Sequence, residues 1–268
     1  MLPSNIIEEY LNTASKIVEK AGVILVNEFK NNKTIRNQGI ANYDIKINSD
    51  QLVEKFIITS LKDKFKGHGF ASEESEVENI ENDFVWYIDP IDGTNNFAIG
   101  IPYFGISLVL TFKGEPIVSI IFNPVLNELF SSGSGIGAFK NGVKFEYRGT
   151  ERSLNEAVIS FIRGHQTFSN PDLLRSGDNL HGKLIKANPK RIITFWAPII
   201  DYTLLVQGKI DLLISFEDEL QEAYAGSLLC REAHVPIYNL DGNKATVNDK
   251  KFIIGNEKLI QEVLNILR

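Results

Sequence analysis

Residues 86–97, WYIDPIDGTNNF, decide how this chain is read. The apolar lead into Asp89 has the texture of a strand. Pro90 then removes a backbone donor and fixes φ, so a central strand cannot simply continue. On a straight strand two carboxylates three residues apart face opposite ways. A turn opened by Pro90 lets Asp89 and Asp92 converge, and Gly93 permits a tight backbone just beyond them. Thr94 then opens a short helix whose first N–H groups face the same point. Converging carboxylates repel one another and lose hydration. A hard divalent cation offsets both costs, and magnesium prefers such oxygen ligands. A metal site beside a phosphate site is the expectation.

Just upstream, GFASEES at 69–75 places Glu73 and Glu74 after a short strand. Neighbours on an extended chain point in opposite directions, so one of the two is expected to reach the metals. Alone, such a pair reads as a solvated turn; beside DPIDGT, the ligand reading overtakes it.

Further out, Ile6, Ile7, Tyr10, Leu11, Ala14, Ile17, Val18, Ala21, Ile24 and Leu25 repeat at helical spacing, which predicts an amphipathic helix over 4–30. A polar loop at 31–43 leads to a second helix near 49–64, with Asp50 in its first turn. From 84 to 139 come FVWYID, FGISLVLTF, PIVSIIF and NELFSS, each bounded by Gly, Pro or Asn and spaced as antiparallel hairpins. Beyond about 150, strands (AVISFI, RIITF, IDLLIS, KKFIIG) alternate with helices at 198–208, 221–233 and 256–267. The fold class expected is α+β / α/β, with an antiparallel-rich N-terminal half at 1–150 and an α/β half at 151–268 that completes the substrate pocket.

Composition narrows the function. With 268 residues and a hydrophobic share of 43%, the chain can bury a large core. The net charge of -6 offers no attraction to nucleic acid or an anionic membrane, and neither is expected as a partner. A single cysteine, Cys230, fits a reducing cytoplasm and reads as a small apolar residue rather than a nucleophile. No signal peptide is evident, and the best apolar run, 103–112, is too short to cross a bilayer.

The motifs together resemble the inositol monophosphatase family, within the larger group that includes fructose-1,6-bisphosphatases. The matching stretches are DIKINSDQLVEK at 44–55, ASEES at 71–75, WYIDPIDGTNNF at 86–97, GIGAFKNG at 135–142 and AGSLLCREA at 225–233. They follow family order across nearly the whole chain. The resemblance implies a layered αβαβα fold and magnesium-dependent hydrolysis of a small phosphomonoester by activated water. Inositol monophosphate is the favoured substrate, with fructose 1,6-bisphosphate close behind. It implies that Glu73 and Asp89, with the carbonyl of Ile91, hold a first metal, and that Asp89 bridges to a second held by Asp92. The amides of Gly93 and Thr94 would hold phosphate beside Asp92. Thr94 would donate to Asp50 and, with Glu73, orient the attacking water. A homodimer is also implied.

Two departures stand out. The family's third signature carries an aspartate where counting back from CREA gives Glu222, one methylene longer; Asp218 is the fallback ligand. Where relatives often have a Gly-Ser/Thr-Ala-Ala run before a helix, this chain has FWAPIID, so Trp196 either reshapes the pocket or is a core residue. Arg163, His165 and Arg191 could meet a second phosphate or sugar hydroxyls, but such residues are more often structural.

An aspartate-nucleophile phosphatase is the nearest rival. That chemistry needs one residue between its two acids, whereas Asp89 and Asp92 have two. A noncatalytic metal or phosphate sensor is the rival from another class. GSGIG at 133–137 lacks a following GK[ST] and reads as a turn.

Overall fold

Two sheets alternate with three helical layers in the computed structural model, which describes residues 2–31, 48–73, 75, 77–246 and 249–267. Most of the expected 31–43 loop, residues 44–47 and Glu74 lie outside the described residues.

The first sheet has seven strands in sequential order: β1 (Gly69–Ser72), β2 (Phe84–Asp92), β3 (Gly105–Phe112), β4 (Glu115–Asn123), β5 (Glu128–Gly133), β6 (Gly137–Lys140) and β7 (Val143–Phe145). Only β1 and β2 are parallel; the remaining neighbours are antiparallel. Tight turns enforce this order. Lys113–Gly114 and Asn141–Gly142 both have positive φ at each central residue, the geometry whose twist matches a two-residue hairpin.

Side-chain alternation on β3 sorts the layers. Ile106, Leu108 and Leu110 face a cluster with α1 (Ser4–Asn31) and α2 (Asn48–Lys64), while Val109 faces the opposite cluster. That second cluster is built on α6 (Pro198–Val206) and α7 (Leu220–Glu232), and it reaches Ile162, Leu213, Phe252 and Ile254 of the other sheet. The middle core therefore draws on both sides of residue 150. Helices α6 and α7 approach closely because position 226 is glycine: a Cβ there would lie 2.3 Å from the Tyr202 ring.

The second sheet has the order β11-β12-β10-β8-β9, formed by β8 (Val158–Arg163), β9 (Arg191–Ile193), β10 (Leu212–Phe216), β11 (Ile237–Asn239) and β12 (Lys251–Gly255). Strands β9, β8 and β10 are mutually parallel, and β12 runs antiparallel to β10. Leu184 of α5 (Pro171–Lys186) and Leu259, Ile260, Val263 and Leu264 of α8 (Glu257–Leu267) cover the outer face. Two short helices, α3 (Thr94–Ile99) and α4 (Gln166–Ser169), complete the helical set among the described residues.

The layered α/β architecture agrees with the sequence expectation. Helices α4 and α5 and strands β6, β7 and β11 were not anticipated. Gly177 and Gly182 interrupt the helical reading of 171–186, although the start carries clear signals. Asn170 accepts from the amides of Asp172 and Leu173, and Pro171 occupies the first turn.

Candidate metal centre and its rim

A strand irregularity makes the centre. Pairing of β2 with β3 is regular to Asp89↔Ser107 and resumes at Asp92↔Gly105. Two residues on β2 thus stand opposite one on β3, which is a bulge. The extra residue shifts the alternation by one, so Asp89 and Asp92 share a side although three apart. This corrects the expected turn at Pro90: the strand continues through the proline, at a bulge, where a missing N–H is tolerated. The Ile91 amide donates to Asp89 Oδ1 at 3.0 Å and steadies the bulge.

Gly93 caps α3 with φ 85°, a conformation that a side chain resists. A Cβ there would also lie 3.0 Å from Ala197 Cβ and the Tyr103 carbonyl, and 3.2 Å from the Trp196 carbonyl. Helix α3 itself has only six residues. The Thr94 hydroxyl donates to the Ile91 carbonyl at 2.8 Å. Asp50 is buried in the first turn of α2.

Glu222 enters from the first turn of α7. Asp89, Asp92 and Glu222 each offer an oxygen, and these atoms lie within 4.8 Å of one another. Hard oxygen donors at that separation fit a divalent cation such as magnesium. Electrostatics argue the same way. Burial, then the Asp89 charge, pushes Asp92 well above the usual carboxylate range, although the Ile199 amide donates to its Oδ2 at 3.0 Å. Burial and the adjoining Asp218 push Glu222 up likewise. A bound cation would offset both effects. Asp218, the fallback ligand, stands behind Glu222. It accepts from the Tyr202 hydroxyl at 2.9 Å and is not among the three clustered carboxylates.

Glu73 is exposed and outside that cluster. It directly follows β1, whose parallel register pairs Ser72 with Ile88, so one further step leads toward Asp89. The hydroxyls of Ser72 and Ser75, on either side of Glu73, both donate to the carboxylate of Glu54. Sequence reading missed Glu54, a buried acid one turn after Asp50 on the same face of α2. That four-residue spacing was the available signal.

Parallel strands bring the rest of the rim to one edge, because their carboxyl ends open on a common crevice. Gly164 and His165 follow β8, Phe195 and Trp196 come two and three residues after β9, and Glu217 and Asp218 follow β10. Arg163 is drawn into an ion pair with Asp178 at 2.8 Å. Arg191 begins β9 and therefore sits at the opposite end from the crevice. His165 is exposed beyond β8. Trp196 is not a core residue: it is 54% exposed and has φ 56°.

The sequence model of the inositol monophosphatase family matches residues 6–268. A tomato (Solanum lycopersicum) protein named inositol monophosphatase 3 is 34% identical, covering 97% of this chain and 96% of its own length. Nus factor SuhB of Escherichia coli K12 is 28% identical over 96% of this chain and 95% of its own. Among solved structures, the extragenic suppressor protein suhB of Bartonella henselae superposes with a TM-score of 0.83. It is 27% identical, with 97% of this chain and 98% of that one covered.

Proposed function

Because the chain belongs to the inositol monophosphatase family, we propose that it hydrolyses small phosphomonoesters with magnesium, inositol monophosphate being the favoured substrate and fructose 1,6-bisphosphate the alternative. The observation that carries this reading is the meeting of Asp89, Asp92 and Glu222 beside the Gly93 turn. Asp89 and Asp92 are buried and Glu222 is half-buried, an arrangement that a cation would stabilise.

In this proposal Glu73, Asp89 and the Ile91 carbonyl would hold one ion, and Asp89, Asp92 and Glu222 would hold another. Bound magnesium would supply Lewis acidity toward the phosphoryl oxygens and lower the pKa of the attacking water. The amides of Gly93 and Thr94 would fix the phosphate, and the Ile199–Asp92 bond keeps one ligand from rotating. Thr94 and Glu73 would orient water in line with the ester bond, with Asp50 supporting Thr94 once its hydroxyl leaves the Ile91 carbonyl. Among the described residues, no helix is long and apolar enough to cross a membrane. A cytoplasmic homodimer without nucleic acid completes the reading.

A second reading comes from the relatives named Nus factor SuhB and from the longer Glu222 acid: a metal-binding protein without turnover. Phosphate release from inositol 1-phosphate and fructose 1,6-bisphosphate, with magnesium or a chelator, separates the two. Magnesium binding by calorimetry without release from any ester would favour the second reading and sink the first.

A further inference from the structure

We propose that Trp196 is a specificity residue that, among sugar phosphates, favours those carrying a planar ring, such as a nucleotide, over the same sugar phosphate without one. This rests on the phosphatase reading above and names its substrate class. Two observations at one residue carry it. Trp196 adopts φ 56°, in the left-handed region that costs a bulky L-residue free energy. Its indole is nonetheless 54% exposed, so core packing does not repay that cost. Its carbonyl lies 3.2 Å from the position of a Cβ on Gly93, which places the residue against the turn beside Asp92.

The mounting is firm. Asn96, buried on α3, donates through Nδ2 to the Phe195 carbonyl at 2.6 Å and to the Tyr103 carbonyl at 2.8 Å. The Phe195 and Tyr103 rings lie 4.9 Å apart, and the Tyr103 hydroxyl is anchored on Asp201 at 2.6 Å. Ile99 and Ile101, both exposed near the end of α3, add apolar surface to that segment. Arg163 is engaged by Asp178 and Arg191 lies at the far end of β9, so neither guanidinium is offered to the alcohol. An exposed indole offers a face for stacking, which tolerates any base because every base has a π-face.

Adenosine 5′-monophosphate and ribose 5-phosphate differ only by the base and form the test pair. The wild type is expected to favour the nucleotide by about tenfold in kcat/KM. Trp196→Gly, which suits the positive φ and should fold, is expected to collapse that ratio to about one through a higher KM for the nucleotide. Trp196→Phe, which keeps a ring, should restore most of it. The other tryptophan, Trp86, is fully buried, so quenching of the exposed emission by the nucleotide reports stacking on Trp196 without any turnover. Equal ratios in wild type and the glycine variant, or no quenching beyond that seen in the variant, would overturn the proposal. If inositol 1-phosphate is hydrolysed but neither of these esters is, the phosphatase reading stands and this proposal is overturned; if no ester is hydrolysed, the phosphatase reading fails and quenching alone decides the stacking role.

Discussion

The backbone N–H of Ile199 donates to Oδ2 of Asp92 across 3.0 Å, tying the first turn of α6 to a carboxylate carried by β2. An asparagine at position 92 could still accept that bond, so Asp92→Asn should fold. It removes one of the clustered charges. Phosphate release should fall by about 10³-fold or more, and the rise in Tm produced by magnesium should vanish, while Tm in chelator should hold or increase. Full turnover in this variant would contradict the assignment.

Magnesium binding should release protons. Glu222 is pushed up by burial and by Asp218, and Asp92 by burial and Asp89, so both acids hold protons more tightly than ordinary carboxylates and a cation competes with those protons. Magnesium affinity should therefore weaken as pH falls. Calorimetry at neutral pH in two buffers of different ionisation enthalpy should give different apparent heats; identical heats would count against proton competition at this centre.

Gly226→Ala tests the support behind Glu222. The added methyl would lie 2.3 Å from the fully buried Tyr202 ring, whose hydroxyl holds Asp218. A loss of about 1–3 kcal/mol in urea unfolding is expected, with weaker magnesium binding. Tyr202→Phe removes only the hydroxyl and should cost about 1 kcal/mol. An undisturbed Gly226→Ala protein would show that α6 and α7 are less tightly packed than described.

Asp201 should leave a mark on the pH dependence of stability. Burial pushes its carboxyl up to about 6, opposed by hydrogen bonds from Ser160 and Tyr103 and reinforced by the Asp218 charge. The folded state then binds more protons than the unfolded state between the ordinary value of 3.8 and about 6, so this contribution is present below that window and lost as pH rises through it. The ceiling is about 3 kcal/mol. Asp92 and Glu222 act in the same sense, and buried His68, which is shifted down, acts in the opposite one. Comparison of wild type with Asp201→Asn in chelator cancels those shared terms. The wild type should lose stability relative to the variant between about pH 4 and pH 7; parallel curves would refute the assignment.

Much of the layering could be read in advance because burial imposes periodicity. Nine of the ten apolar positions read on α1 pack into its core, and the run through β3 is buried as a central strand should be. Helix α5 was hidden by its two glycines; a Cβ on Gly177 would lie 3.3 Å from the Phe216 ring, a packing demand invisible without the partner. Asp89 and Asp92 could be paired from spacing, yet Pro90 suits a turn and a bulge equally, and only the register with β3 distinguishes them. Glu222 depended on alignment of AGSLLCREA, since a glutamate in the first turn of an ordinary surface helix looks the same. Trp196 was undecidable because its exposure and φ are tertiary properties.

The carboxylates of the centre lie on both sides of the chain's midpoint, with Asp89 and Asp92 on β2 and Glu222 on α7. During synthesis the first two leave the ribosome long before the third. Tight capture of an ion must therefore wait until α7 has docked against the earlier sheet, so cation occupancy would act as a certificate of a finished polypeptide.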